Sequence, residues 1–286
     1  MQFWVIQTLN SLALGGLLFL LAAGFSLIFG LMRIANLTHG AYYMLGAYIG
    51  VSILKVIPNL WIAALLGGLA VALLGGLVER FILRKLSGNE LGQVLVTLGF
   101  AYIIADLCLV VWGGDPIPVP TPEALESPLE IGGFMFPAYR LAVVAIALAT
   151  GVALYLLMER TRLGAMIRAG VDDMQMARAV GIPVSRLFTI VFCLGSALAG
   201  AGGILGGPIM SAYPGLDFDM LPLALIVVIL GGVGSLIGAF VGSFIIGFVY
   251  TFGIALFPQF AYVILFLPMI VVIAFRPRGL FGRQIA

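Results

Sequence analysis

Charge is what this sequence has least of. Asp, Glu, Lys and Arg make up 9% of its 286 residues, against 63% hydrophobic, and mean hydropathy is +1.21. Soluble domains carry about 25% charged residues, so a water-facing globular surface is excluded and most of this surface faces lipid. The length accommodates roughly nine spans of about 20 residues with short connections, which leaves no room for a separate aqueous domain. Cysteine is scarce too. Cys108 and Cys193 both lie in long apolar runs, with neither disulfide nor metal spacing. His39 is the one histidine and has no second His or Cys nearby to make a metal pair. Neither of the two lysines, Lys55 and Lys85, follows a glycine, so a Walker A loop is excluded. No Ser or Cys stands in a G-x-S-x-G elbow, and Gly231 to Gly238 fails the G-x-G-x-x-G spacing. The chain is therefore expected to be no enzyme and to hold no cofactor or metal of its own, with membrane lipid around it and no nucleic-acid partner.

What is present is apolar and periodic. Candidate spans run at Leu9 to Leu31, Ala41 to Ile57, Leu60 to Val78, Gly92 to Trp112, Tyr139 to Met158 and Leu187 to Leu205. A short apolar piece, Leu221 to Leu230, is broken by Gly231-Gly232-Val233-Gly234 and reads as a broken or re-entrant helix; Ser235 to Phe252 and Phe257 to Phe275 follow. Positively charged short loops stay cytoplasmic. With Arg160, Arg162, Arg168, Arg178 and Arg186 inside, stepping span by span puts Arg33, Arg80, Arg84, Lys85, Arg276, Arg278 and Arg283 on the same side. Those are twelve of the fourteen basic residues; only Lys55 and Arg140 fall outside. The loops Asp115 to Glu130 and Tyr213 to Asp219 are acidic, which agrees. The expected fold is an all-α polytopic membrane helix bundle of about eight to nine spans, including broken or re-entrant helices. Its N-terminus is outside and its C-terminus cytoplasmic. The first basic residue is Arg33, so no charged signal n-region precedes the first span, and the mature protein is expected to begin near Met1.

Small residues four apart form three ladders: Ala64, Gly68, Ala72, Gly76; Ala199, Gly203, Gly207; and Gly234, Gly238, Gly242. Such grooves let another backbone approach closely. Packing within the chain is the simplest reading of each, and the third is the best candidate for a subunit interface.

Three polar features stand out. Arg33-Ile-Ala-Asn36-Leu-Thr38-His39-Gly40 interrupts continuous membrane helix, either as a turn capped by Asn36 or Thr38 with Arg33 reaching the headgroups, or as part of a hydrated path. Asp106 is a lone carboxylate, either a functional acid such as a proton-coupling residue or, at about 9 Å from Trp112 at helical rise, near enough to water or to Arg140 across the outer loop to stay ionised by a structural pairing. The inner loop from Arg162 to Pro183 mixes Arg162, Arg168, Arg178, Asp172 and Asp173 with Met166, Ile167, Met174, Met176 and Val180. Its stretch Asp172 to Val180 is expected as a short helix, begun by the two aspartates and stopped by Gly181-Ile-Pro183. Charged and apolar faces at a membrane surface suit docking, or a helix lying in the headgroups.

Four stretches in order then resemble one family: Gly30-Leu-Met-Arg33-Ile-Ala-Asn36-Leu-Thr-His39-Gly40 with Met44-Leu-Gly46-Ala-Tyr48; the inner loop from Arg162 to Pro183; Gly231-Gly-Val-Gly234-Ser-Leu-Ile-Gly238; and Arg276-Pro-Arg-Gly-Leu-Phe281-Gly. The sequence resembles permease subunits of bacterial ABC importers for branched-chain (hydrophobic) amino acids. The resemblance implies one permease domain over residues 1–286 in the inner membrane, with a cytoplasmic coupling loop at 159–186. It also implies a second permease chain (copy or paralogue), two cytoplasmic ATPase subunits that bind ATP and Mg, and a periplasmic substrate-binding protein. Coupling would then involve Arg162, Gly164, Arg168, Asp172, Asp173, Ala177 and Gly181. The pathway or gate would involve Asn36, Thr38, His39, Gly40, Gly231, Gly232 and Gly234. Close relatives carry urea and short amides, which is one alternative substrate class. An autonomous ion-coupled carrier using Asp106 or His39 is the alternative from another class.

Two further expectations follow. With ATP as the energy source, Asp106→Asn should leave uptake largely intact. The breaks at Asn36 to Gly40 and Gly231 to Gly234 should be corresponding points of two oppositely oriented halves, both close to the lumen between two permease chains.

Overall fold

The structure, a computed structural model, describes residues 2–32, 36–131 and 133–282. Arg33 and Arg283, both used above to orient the chain, and Ile34 and Ala35 of the first polar break lie outside the described residues. Eleven α-helices are formed among the described residues: α1 (Gln2–Met32), α2 (Thr38–Leu54), α3 (Leu60–Phe81), α4 (Glu90–Trp112), α5 (Ala138–Arg160), α6 (Arg162–Asp172), α7 (Met174–Ala179), α8 (Val184–Met210), α9 (Leu216–Gly231), α10 (Leu236–Leu256) and α11 (Ala261–Phe275). Nine of them stand where spans are expected, and α6 and α7 occupy the inner loop. Six helices, α1, α3, α4, α5, α8 and α10, are long and apolar enough to cross a membrane. Their ends carrying Arg80, Arg160 and Arg186 form the basic end of the bundle.

The all-α expectation misses one element. In the loop between α4 and α5, Pro128–Ile131 pairs antiparallel with Phe134–Pro137. Proline keeps this acidic stretch from helix, and the hairpin gives its backbone groups partners.

Two short helices make the centre. α2 has 17 residues and α9 has 16, about 26 and 24 Å at helical rise, short of a hydrocarbon core of about 30 Å. Both are largely buried, and neither has a polar face, as expected for a helix enclosed by others. Small residues permit this enclosure. Gly46 of α2 lies against the Gly200 backbone of α8, Gly50 against Ile204, and Gly203 against the Tyr43 carbonyl, so α2 and α8 run parallel in backbone contact. α3 runs antiparallel to α8, with Gly68 at Ala201 and Gly76 at Cys193. α1 runs antiparallel to α10, with Gly30 at Gly234 and Gly15 at Phe244.

All three small-residue ladders are therefore filled from within the chain. The third is not a subunit interface: Gly238 lies against Gly231, and Gly242 against the Val227 carbonyl of α9.

The packing repeats. α1, α2 and α3 (31, 17 and 22 residues) are matched in order and length by α8, α9 and α10 (27, 16 and 21 residues). α1 packs on α10 as α8 packs on α3; α2 packs on α3 as α9 packs on α10; α2 packs on α8 as α9 packs on α1. Two halves thus exist, but not with the expected correspondence. The segment after α1 matches the one after α8, residues 211–215. Asn36–Gly40 and Gly231–Gly234 are not equivalent points, because the second follows the short helix of its half and the first precedes it.

Candidate functional site

The first polar break is built to start a helix inside the bundle. Asn36 is fully buried, its Oδ1 accepts from Thr38 N at 3.2 Å, and its carbonyl accepts from His39 N at 3.1 Å. Thr97 of α4 takes the place of water: its Oγ1 accepts from Leu37 N at 3.2 Å, and its carbonyl accepts from Thr38 Oγ1 at 2.7 Å. His39 Nε2 donates to the Leu21 carbonyl at 2.9 Å, while its ring packs on Phe25. Leu21 lies eleven residues before the end of α1 and Thr97 seven after the start of α4, so α2 begins about 10–16 Å within the bundle.

The start of α9 meets it there. A Cβ on Gly40 would fall 2.6 Å from the Asp217 carbonyl and 2.8 Å from Leu221, so only glycine permits the two helix N-termini to touch. Around this junction Asn36 Nδ2, His39 Nδ1, Tyr42 OH, Tyr43 OH, Tyr48 OH and Asp217 Oδ1 are buried without a protein partner among the described residues. Leaving such groups unmet costs about 1–3 kcal/mol each, a concentration unusual for a part that serves packing alone.

The second break lies apart from this junction, at the basic end. Gly231 abuts Gly238, Gly232 (φ +100°) packs on Gly282, and Gly234 (φ +75°) packs on Gly30 of α1. The carbonyls of Leu230 and Gly231 accept from Leu280 N and Phe281 N at 2.9 and 3.0 Å, so the tail after α11 clamps the break. Ser235 then caps α10, its Oγ accepting from Gly238 N at 3.0 Å.

The inner loop holds two helices where one was expected. α6 is the addition: Thr161 Oγ1 caps it by accepting from Gly164 N at 3.1 Å, and Gly164 fits directly beneath the carbonyls of Leu157 and Met158. Ile167 and Gly170 turn inward, Gly170 against Leu31 of α1. Arg168 donates to the Met158 carbonyl and lies 3.6 Å from Glu159, fixing the α5–α6 corner. Asp172 closes α6 instead of opening the next helix. Asp173 alone caps α7, its Oδ1 accepting from Gln175 N and Met176 N at 2.9 Å, and Gly181 (φ +87°) ends the segment. Ala177 is buried, so it does not belong to an exposed docking face. The exposed apolar side chains are Met176 and Val180, at 60% and 69%. Beside them a depression of about 530 Å³ is lined by Arg178, Gly181, Ile182, Pro183 and Arg186. Arg162 stands exposed at the start of α6. Removing the cap should loosen α7 alone: Asp173→Ala is expected to cost about 1 kcal/mol, read as faster amide exchange confined to residues 174–180.

Asp106 is not paired with Arg140. Arg140 donates to Asn10 of α1, and Asp106 is exposed on the outer face of α4. Glu79, which no sequence motif marks, is fully buried and bound by Arg84 at 3.0 Å and by Thr189 at 2.7 Å. Asp217 and Asp219 were read as outer loop. Their place before an apolar run and after Gly215 is the pattern of an acidic first helical turn, which was the available signal.

Residues 7–273 match the profile of the family described as "Branched-chain amino acid transport system / permease component". The chain belongs to this family. It is 27% identical over 292 residues to the high-affinity branched-chain amino acid transport system permease protein BraD of Pseudomonas aeruginosa, covering 97% of this chain and 95% of BraD. It is 24% identical over 296 residues to LivH, a permease protein of the same description, from Salmonella typhimurium and from Escherichia coli, covering 98% of this chain and 96% of each. With these relatives and six helices long and apolar enough to cross a membrane, the chain is a multi-pass membrane permease, and the resemblance read from four stretches of sequence is borne out.

Proposed function

We propose that this chain is the membrane-spanning subunit of an ATP-binding-cassette importer that carries branched-chain or other hydrophobic amino acids inward, with ATP hydrolysed by separate subunits. The basic end faces the cytoplasm, in accordance with the distribution of arginine, and the membrane is the cytoplasmic membrane. The assembly comprises a second permease chain, two ATPase subunits that hold ATP and Mg, and a substrate-binding protein on the far side. The observation that carries the reading is the capped α7. It presents Met176 and Val180 to the basic end beside a depression flanked by Arg178 and Arg186, an arrangement of apolar anchors and cations suited to a protein cleft.

The motor is expected to push on this segment, and α6, locked to α1 and α5, to pass the displacement into the bundle. Met176→Glu with Val180→Glu is expected to lower ATP-driven leucine uptake in proteoliposomes by tenfold or more, roughly the loss of two interface anchors at about 1 kcal/mol or above each. Both side chains are exposed, so the thermal stability of the isolated chain should not change. Full uptake in the double variant would contradict the assignment. So would leucine uptake by this chain alone under an ion gradient, which is the carrier alternative.

A further inference from the structure

At the end of the bundle away from its arginine-rich side, one cation has no counter-charge. Arg140 is half-buried in the first turn of α5, a turn that holds no acidic residue and that no side chain caps. A cation there opposes the helix dipole, which favours negative charge at an N-terminus. Its guanidinium donates to Asn10 of α1, a neutral acceptor that occupies one of five N–H groups. Among the described residues the ion pairs are Glu79 with Arg84 and Glu159 with Arg168, so no carboxylate meets Arg140. Burial and the helix dipole both favour an anion beside it.

The packing of the surrounding helices leaves room for one. α5 and α10 both lie along α1: a Cβ on Gly16 would fall 3.2 Å from Ala147 of α5, and one on Gly15 would fall 2.8 Å from Phe244 of α10. Toward the basic end these two flanking helices meet, where a Cβ on Gly151 would lie 3.5 Å from Phe240. Toward the other end a pocket of about 260 Å³ is lined by Arg140 of α5, Thr251 of α10, and Asn10 and Leu14 of α1. Ile209 and Met210, the last residues of α8, complete it. The start of α5 and the end of α8 set the level of the pocket, where membrane helices reach the headgroups. Further along, α5 leaves Leu148, Val152 and Leu156 exposed, an apolar surface of the kind that meets lipid.

We propose that this pocket binds the phosphodiester of an anionic phospholipid, with Arg140 as its counter-charge, Thr251 as a hydroxyl donor, and one acyl chain leading off over Leu14, Ile209 and Met210. A guanidinium with free N–H groups makes paired, charge-assisted bonds to two phosphate oxygens. The single charge of phosphatidylglycerol is matched by the single guanidinium, and its uncharged glycerol end can stay in water. A free amino acid fits less well. Its carboxylate would meet Arg140, but its ammonium would lie among apolar side chains with no carboxylate to receive it. A lipid seated here would fill the gap between α5 and α10 and secure α5, whose partner among the long helices is chiefly α1. The site requires only that the chain lies in a membrane, so it goes beyond the permease reading and does not depend on it.

The test is a lipid titration of the full-length chain in detergent, read by native mass spectrometry, with dioleoyl phosphatidylglycerol as the probe. The tightest phosphatidylglycerol site should weaken by about tenfold to a hundredfold in Arg140→Gln, the worth of one charge-assisted hydrogen bond. It should weaken by less in Arg140→Lys, which keeps the charge but not the fork. Thr251→Phe fills the pocket and leaves the bond from Arg140 to Asn10 in place. It should weaken the same site by a similar factor, and it decides alone if Arg140→Gln does not fold. Dioleoylglycerol, with the same chains and no phosphate, should bind the wild type about tenfold more weakly than phosphatidylglycerol or worse. Affinity within about twofold of wild type in either Arg140→Gln or Thr251→Phe would overturn the site, since one removes its charge and the other its space. Equal binding of dioleoylglycerol would overturn it as well. Displacement of the lipid by leucine would assign the guanidinium to the carboxylate of an amino acid instead and overturn it equally.

Discussion

Leucine at Gly46 or at Gly203 is expected to leave no folded bundle. These residues bring the backbones of α2 and α8 into direct contact: a Cβ on Gly46 would fall well inside van der Waals contact with the Gly200 carbonyl, and one on Gly203 well inside contact with the Tyr43 carbonyl. Ordinary overpacking costs about 1–3 kcal/mol because side chains give way. Here the obstacle is backbone, and it cannot give way without separating α2 from the helix along which it is packed. Alanine should already lower the melting temperature in detergent, and leucine should abolish the monodisperse peak. Gly99 provides the contrast. Nothing lies within 4 Å of the position its Cβ would take, so Gly99→Leu is expected to fold as the wild type does and to gain helix propensity. Normal folding of Gly46→Leu and Gly203→Leu would mean that the α2–α8 contact is not as close as described.

The buried ion pair at the basic end should respond asymmetrically. Glu79 is fully buried and Arg84 is 35% exposed. Arg84 joins two helices, donating to Glu79, to the Ser185 carbonyl at 2.8 Å and to Thr189 Oγ1 at 2.6 Å, and so ties the end of α3 to the start of α8. Arg84→Ala strands a carboxylate with only the Thr189 hydroxyl beside it, and is expected to destabilise by about 3–5 kcal/mol. Glu79→Gln keeps an acceptor in place and leaves a guanidinium that can reach water, so its cost should be nearer 1 kcal/mol. The double change Glu79→Leu with Arg84→Met should recover most of the loss. Thermal melts of the four proteins decide the matter; equal costs for the two single changes would contradict the assigned burial. Since α8 continues directly from the segment proposed to meet the ATPase, Arg84→Ala should also weaken coupling.

Composition and periodicity determined a good deal about this protein. Nine apolar segments were placed, with ends up to seven residues off, because a chain in lipid must satisfy its backbone within each span, and hydropathy reports that requirement locally. The inner loop, its termination at Gly181 and the family were legible for a similar reason: caps, helix stops and motifs are short-range patterns. Other features depended on which surfaces meet. That α2 and α9 start inside the bundle follows from Thr97 and Gly40, contacts to residues about 60 and 180 positions away in the chain. The third glycine ladder has the same sequence pattern whether it meets α9 or a second subunit, and only packing placed it against Gly231 and Val227. Asp106 looked like a partner for Arg140 because sequence gives depth along a helix and not rotation about it. The tertiary structure set that rotation. It turned Arg140 toward Asn10 and left Asp106 on the exposed face of α4, one turn from Tyr102, because the small buried residues of α4, Ala101 and Cys108, are the ones that fit against its neighbours in the core.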